Sequence, residues 1–379
     1  MSGSPSIGRT PSKPDVDVNS VVAGYLREMA FVQSSRQKTF GYKRAAAAVA
    51  ALEIQLSEFI EGGGDPTKIH GIGPASARVI REVLEGGTSA SVERAIDESG
   101  RRADIRRRRD LSHHFLSRAQ VLRILRTAPA TALRRENYRG DLQMHSEWSD
   151  GAATLAEIRA ACHKRGYEYA AITDHSHGLR IAGGMSMKDA ARQRKEMVKA
   201  NARPSGGCRL LQGIEANILA DGQLDLSEAE ARTFDLVLAA PHSQLRKGDD
   251  QTARMMAAVE NPAVRILAHP RGRMAGSRAG VVARWNEVFA TAARRGVAIE
   301  IDGDPARQDL DHTLAREARD AGCLFALDSD AHTTGQLVYA ETALAHAILA
   351  GVDRDRVVNS WPLARLLEWL ANPAREARD

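Results

Sequence analysis

An α/β barrel preceded by an all-α domain is the fold class that the sequence predicts, on three observations. From Gly140 onward, apolar strand-like runs alternate with helical patterns, giving seven β/α units. Six of those runs end abruptly in His, Glu or Asp, the way barrel strands deliver side chains to a C-terminal mouth. Before Tyr138 the periodicity is helical, broken by glycine-containing turns. A doubly wound open sheet is the alternative, but terminal residues from every strand converge more easily on a closed barrel mouth than on one crevice.

In chain order, residues 1–15 are rich in Ser, Pro, Gly and Lys without an apolar core, which reads as a disordered lead and not a signal peptide. Residues 16–88 form a helical domain. Val22, Leu26, Met29 and Val32 recur at helix spacing, and Tyr42 to Leu56 is alanine-rich with high helix propensity. Gly62-Gly-Gly-Asp-Pro66 is a loop. The segment from Ile69 to Leu84 is the informative one. Its Gly71-Ile72-Gly73 turn opens directly into an amphipathic helix with Pro74 at the start, the signature of a helix-hairpin-helix. The glycines let the backbone approach a partner closely, and N–H groups at a helix start suit a DNA phosphate. Gly71, Ile72, Gly73 and Arg78 are therefore the candidate DNA-binding residues. The plainer reading is a tight interhelical turn that binds nothing. Residues 89–136 read as a helical, basic linker region with Arg101-Arg102, the run Arg106–Arg109, and a hinge at Thr127-Ala-Pro-Ala130.

The barrel is assigned to residues 137–379. Its strand candidates are Gly140–His145, Tyr169–His175, Arg209–Glu215, Asp235–His242, Val264–His269, Val297–Ile301 and Cys323–His332. Its helix candidates are Thr154–Arg165, Ser186–Arg203, Thr252–Glu260, Val281–Arg295, Leu310–Ala321 and Gly335–Leu349. Gly151 closes the turn that follows Gln143, His145 and Asp150. One strand ending in a ligand type is chance, but six in order describe a metal site.

The net charge is only +5 over 379 residues, but it is uneven, with arginine runs early and carboxylates in the later loops. That suits a protein that grips a polyanion and holds cations against it, although an Arg run also reads as a solvated linker. Cys162, Cys208 and Cys323 are scattered and odd in number, which argues for a reducing cytoplasm and against both a disulfide framework and thiolate-bound zinc. No apolar run approaches the roughly 20 residues of a membrane span.

The motifs Gly140-Asp-Leu-Gln-Met-His-Ser146, Thr173-Asp-His-Ser176, Gly213-Ile-Glu215, Pro241-His-Ser243, Ala268-His-Pro270 and Ser329-Asp-Ala-His332 resemble, in order, those of the polymerase and histidinol phosphatase (PHP) domain. The version resembled most is the one at the C-terminus of bacterial family X DNA polymerases, whose Glu-Ile-Asn/Asp-Gly segment matches Glu300-Ile-Asp-Gly303. The N-terminal helices are similar to that family's helix-hairpin-helix domain. Between Leu84 and Tyr138 there is no room for the nucleotidyltransferase palm, so polymerisation is not expected.

The resemblance implies a distorted (β/α)7 barrel with three divalent ions at its mouth. Gln143, His145, Glu215 and Asp330 would hold one ion. Glu215 would bridge to a second held by His242 and His269, and Asp150, His175 and His332 would hold the third. Nitrogen and oxygen ligands without sulfur suit manganese or zinc, with iron a further candidate. Glu215, His242, Asp330 and His332 would be central to catalysis, in which activated water attacks phosphorus in line. Arg180, Arg271, Arg273 and Arg307 are candidates to hold phosphate oxygens, with a surface salt bridge the competing role for Arg180 and Arg307. Glu300 and Asp328 would orient ligands. Gln143 departs from the family, which usually has a histidine there. An amide oxygen is the poorer ligand, so that site should bind more weakly and tilt toward manganese. The implied activity is a DNA phosphoesterase, a 3′-to-5′ exonuclease or 3′-end-processing enzyme of repair. The alternatives are a small-molecule phosphatase of the histidinol-phosphate type, and a DNA-binding adaptor with a decayed site.

Overall fold

The computed structural model describes residues 16–202 and 207–372, so the lead over residues 1–15 and the expected helix end at Arg203 lie outside the described residues. Contacts divide the chain into two compact units. One runs through Ile105 and includes Leu116–Gln120; the other combines Arg106–Phe115 with the chain from Val121 onward.

In the first unit, helices α1 (Val18–Val32), α2 (Arg36–Ala51), α3 (Leu56–Glu61), α4 (Pro74–Gly86) and α5 (Ala90–Ser99) follow one another. Asp17 and Ser35 start α1 and α2 by accepting from the backbone N–H groups of Ser20 and Lys38. Apolar residues at helix spacing then meet in one core: Val22, Leu26 and Met29 of α1, Val49 of α2, Ile80 and Val83 of α4, and Ile96 of α5. Ile72, the middle residue of the glycine turn, is buried in the same core and anchors the hairpin. Helices α6 (Arg102–Asp110) and α7 (Arg118–Thr127) come next in sequence.

The second unit is built on seven strands: β1 (Gly140–Asp141), β2 (Tyr169–Ile172), β3 (Arg209–Asn217), β4 (Leu236–Ala240), β5 (Ile266–Leu267), β6 (Ala298–Asp302) and β7 (Leu324–Asp328). Their spatial order equals their sequence order and every neighbouring pair is parallel. The order never reverses, which rules out the doubly wound sheet. Helices α8 (Leu155–Lys164), α9 (Met187–Asn201), α10 (Glu228–Ala231), α11 (Thr252–Glu260), α12 (Trp285–Arg295), α13 (His312–Asp320) and α14 (Ala340–Ala350) alternate with the strands, and α15 (Leu363–Ala371) ends the described chain.

The sheet curls into a nearly closed barrel. At the seam between β7 and β1, one parallel bridge joins Met144 to Ala331, and side chains do the rest. Asp328 accepts from the Leu142 N–H at 2.8 Å, and Asp141 accepts from the Ser329 N–H at 3.3 Å. Asn359 wedges into the gap, donating to the Gly140 carbonyl and to Asp328 while accepting from the Leu327 N–H.

Strand alternation sorts the residues. Val237, Ala239, Ile299, Ile301, Phe325 and Leu327 pack outward into the principal core, which also holds α11 to α14 residues. The inward set begins apolar, with Leu211, Leu238, Ala298 and Ala326 packed on Trp361 and Leu366 at the floor. Two residues further along, the same inward register reaches Gly213, Ala240, Glu300 and Asp328, and beyond them Glu215, His242, Asp302 and Asp330. The barrel is thus oily at one end and charged at the other.

Candidate metal centre

Every expected ligand lies at or just beyond a strand's C-terminal end. Gln143 and His145 follow β1, His175 follows β2, Glu215 lies within β3, His242 follows β4, His269 follows β5, and Asp330 and His332 follow β7. Asp150 comes from the turn after β1. That turn needs Gly151, because a Cβ there would stand 2.3 Å from the His145 carbonyl oxygen. His269 and Asp330 adopt left-handed backbone, φ +57° and +50°, which non-glycine residues keep only where the surroundings enforce it.

Glu215 is the hub, fully buried. One carboxylate oxygen lies 2.7 Å from His269 Nε2 and 3.2 Å from His242 Nε2. The other lies 3.0 Å from His175 Nδ1 and 3.4 Å from His145 Nε2. Asp330 Oδ1 is 3.0 Å from His145 Nε2. Asp150 stands 3.5 Å from both His175 Nε2 and His332 Nε2. The His145 ring is stacked between those of His175 and His332, with centroids 4.4 Å away on each side.

These donors fit metal ions. Two ligands about 2.1 Å from one ion stand roughly 3.0–3.4 Å apart, which is the spacing seen here. His145, Asp150, His175 and His332 form one group able to hold an ion, and His175, Glu215 and His242 form another. Several buried ligand atoms also lack a hydrogen-bond partner: Gln143 Oε1, His145 Nδ1, His242 Nε2 and Glu215 Oε2. Leaving such groups unsatisfied costs about 1–3 kcal/mol each, so a cluster of them is suited to binding cations.

The charge states agree. Burial would raise the Glu215 carboxyl, but the imidazoles of His175 and His242 hold it well below the ordinary range. Burial opposes ionisation of Asp330 too, and Arg307 overcomes it. Burial disfavours charge on His175, yet Glu215 and Asp150 push it up to about 10, and against the same opposition Asp150 and Asp330 take His332 to about 9. Without metal, protons hold the carboxylates together, and a divalent cation would displace them.

The arginine candidates separate. Arg307 Nη2 lies 3.3 Å from Asp330 Oδ2, at the ligand set itself. Arg271 lies 3.5 Å from Asp311 and is three-quarters buried. Arg273 is nearly enclosed, bonded to Asp311 at 2.8 Å and to the Arg307 carbonyl, with its guanidinium over the Phe115 ring. Arg180 is exposed in a short 3-10 turn.

Several residues that position the ligands escaped sequence reasoning. Asp174 accepts from the Ser146 N–H and from the side chains of Ser146, Ser149 and Gln193, clamping the loop that carries His145 and Asp150. Asn217 accepts from His242 Nδ1 at 2.6 Å, which leaves Nε2 for Glu215 and metal, and Asp225 in turn accepts from Asn217 and Ser176. The signal for Asn217 was present, since it follows Glu215 by two and shares its face. Asp328, unlike these, was among the carboxylates expected from the sequence to orient ligands; it accepts from the Leu142 N–H, on the segment that carries Gln143 and His145.

In the helical unit, Gly71, Gly73 and Arg78 line a groove of about 740 Å³ together with Lys38, Arg44 and Arg94. Gly71 has φ +90°. Gly73 caps α4 without any side-chain cap, leaving first-turn N–H groups for a ligand. A Cβ on Gly73 would meet nothing within 4 Å.

A seven-stranded parallel barrel with this donor set at its mouth defines a metal-dependent hydrolase. Residues 141–302 match the PHP domain family and residues 17–89 the helix-hairpin-helix domain family. The chain is 35% identical over 223 residues to the DNA polymerase/3′-5′ exonuclease PolX of Bacillus subtilis, covering 59% of this chain and 39% of that polymerase. It is 31% identical over 247 residues to the probable phosphatase YcdX of Escherichia coli, covering 62% of this chain and 94% of the relative. The histidinol phosphate phosphatase of Lactococcus lactis, solved with zinc, L-histidinol and phosphate, aligns with a TM-score of 0.41 at 14% identity, over 55% of this chain and 92% of its own. The chain belongs to the PHP family and is a metal-dependent phosphoesterase. No helix among the described residues is long and apolar enough to cross a membrane.

Proposed function

We propose that the protein is a DNA phosphodiesterase that removes nucleotides from, or trims, 3′ ends during repair. The observation that carries this reading is the pairing of a phosphoesterase barrel with a helix-hairpin-helix groove in one chain, since a freely diffusing small substrate needs no grip on a duplex. The relative named as a polymerase and 3′-5′ exonuclease supports it. Because this chain spans 39% of that relative, its exonuclease activity is carried here only as part of the proposal. A second reading, a small-phosphoester phosphatase, is favoured by the barrel's coverage of 94% of the probable phosphatase.

Three divalent ions, manganese or zinc, fit the ligand sets: Gln143, His145, Glu215 and Asp330; Glu215, His242 and His269; Asp150, His175 and His332. Such ions, when bound, neutralise charge on the phosphoryl oxygens and acidify the attacking water. The chain's own residues do the remainder. Arg307, held beside Asp330, would donate to a non-bridging phosphate oxygen, with Arg271 on the neighbouring loop as a second donor. Asn217 fixes the tautomer of His242, and Asp174 fixes the loop of His145. His332 Nδ1 donates to the Asp330 carbonyl, which leaves Nε2 facing Asp150 and the ion that the two would share.

The test is hydrolysis of a 3′-labelled duplex, compared with bis-p-nitrophenyl phosphate and a phosphomonoester. Release of the label as a mononucleotide from the 3′ end is expected. Rapid turnover of the monoester with DNA untouched would favour the phosphatase reading instead.

A further inference from the structure

Charge on the catalytic unit is handled in two ways. Many exposed arginines sit against a carboxylate, as Arg194 does with Asp235 and Arg232 with Glu228. Around the loop that follows the His269 ligand, Arg246 and Arg278 bond to neutral oxygens instead. Arg246 donates to the Ser277 carbonyl at 3.0 Å and its hydroxyl at 3.2 Å. Arg278 donates through Nε to the Gly272 carbonyl at 2.7 Å. Arg108, on the segment Arg106–Phe115 that belongs to this unit, donates to the Gly276 carbonyl at 2.6 Å. Among the described residues, no carboxylate lies within ion-pair distance of Arg246, Lys247 or Arg278, nor of the exposed Arg106 and Arg107. A guanidinium satisfied by a carbonyl keeps its whole charge and gains a fixed direction.

The platform under these cations is rigid. Met274 and Arg278 pair through two backbone hydrogen bonds, and Ala275 N–H reaches the Ala306 carbonyl, next to Arg307. The N–H groups of Arg271 and Arg273 both donate to Asp309. Arg246 is bonded to Ser277, the residue next to Arg278, and burial and then the neighbouring charges of Arg307 and Arg246 hold the Arg278 guanidinium below its ordinary value. Positive charge thus continues from the Asp330 ligand through Arg307 and Arg278 to Arg246 and the start of the Arg106–Phe115 segment. Both neighbouring loops leave the barrel at metal ligands, His242 and His269. Cations spread over three separate chain segments outreach a single phosphate group but suit a repeating one.

We propose that these residues form a track on the catalytic unit itself for the backbone of the strand being cut, with phosphates flanking the scissile one lying along Arg278, Arg246 and Arg106-Arg107. The proposal rests on DNA being the substrate. It assigns the strand's grip near the cut to the barrel, separately from any duplex grip by the helical unit.

The test uses the full-length, metal-loaded protein and the variants Arg107→Glu, Arg246→Glu and Arg246→Lys. Arg107 is exposed and unpaired, so its replacement leaves the fold intact. Arg246→Lys keeps charge while losing the two bonds to Ser277. Both glutamate variants should raise KM on a single-stranded oligonucleotide several-fold, with kcat/KM on bis-p-nitrophenyl phosphate within twofold of wild type. The slope of log binding constant against log salt should fall by about 0.7 for each phosphate of the single strand that is no longer neutralised. Arg246→Lys should retain most of the affinity. Unchanged oligonucleotide kinetics and salt slope in both glutamate variants, with wild type cutting DNA, would overturn the track alone. If wild type cleaves small phosphoesters but not DNA, the functional reading fails and the track with it. Equal losses on the small diester would show that the substitutions disturb the metal centre, which would also overturn it.

Discussion

On the proposed reading the barrel mouth and the glycine-turn groove both serve phosphate, yet they are built in opposite ways. At the mouth the working atoms are buried side chains, each aimed by a neighbour: Asn217 on His242, Asp174 on the His145 loop, and Arg307 on Asp330. In the groove the candidate atoms are backbone N–H groups at a helix start without a side-chain cap, with exposed Arg78 and Lys38 nearby. The difference follows from the tasks. Bond cleavage needs charge fixed before the substrate arrives, in a site where replacing a donor leaves others stranded. Holding a backbone without reading its sequence needs only close approach and positive potential.

The comparison breaks most sharply at Glu215. Glu215→Gln removes the negative charge that four imidazoles share, and hydrolysis of bis-p-nitrophenyl phosphate should fall by roughly 10³-fold or more. Binding of a DNA duplex through the groove should be unaffected. Substantial hydrolysis by this variant at saturating metal would mean that the hub is not Glu215.

Next comes the support layer. Asn217→Ala frees the His242 ring, and metal affinity and kcat should drop by about 10–100-fold. Asn217→Asp, which retains the acceptor but sets a second carboxylate against Asp225, should restore only part of the loss; metal titration separates a positioning role from general unfolding.

On the other side stands Gly73→Val. A side chain fits there without strain, because nothing lies within 4 Å, but it would stand where a phosphate approaches. Duplex affinity should weaken on the order of tenfold, about 1.4 kcal/mol, while the small diester is hydrolysed at the normal rate. Gly71 is the poorer probe, since its φ of +90° makes any substitution strained. Wild-type duplex binding by the Gly73 variant would remove the groove from the DNA account.

The smallest effect is expected at Gln143. Gln143→His should raise metal affinity several-fold and shift preference toward zinc, imidazole being the better ligand for it. Identical manganese and zinc titrations for the two proteins would show that Gln143 does not bind metal.

Much of this was legible in the sequence because the barrel repeats one device. Apolar strands ending in His, Glu or Asp revealed both the seven-unit fold and the residues that converge on Glu215. The glycine turn was equally plain, since Gly71 and Gly73 sit at fixed offsets from Pro74. What could not be read was long-range partnership. Asp174 and Asn217 look like ordinary strand-end residues until their partners, 28 and 25 positions away, are brought beside them. Asn359 closes the seam of β1 and β7 from a segment with no motif. Nor could local pattern reveal that the Arg106–Phe115 stretch packs with the barrel, because Arg108 finds the Gly276 carbonyl 168 positions away.

The most direct test of the central claim is removal and return of metal. Protein stripped with a chelator should lose hydrolysis of both bis-p-nitrophenyl phosphate and 3′-labelled DNA, and regain both when manganese or zinc is restored, in step with the metal bound per chain. Metal-free protein that still cleaves either substrate at the full rate would contradict the assignment of the barrel mouth as a catalytic metal centre.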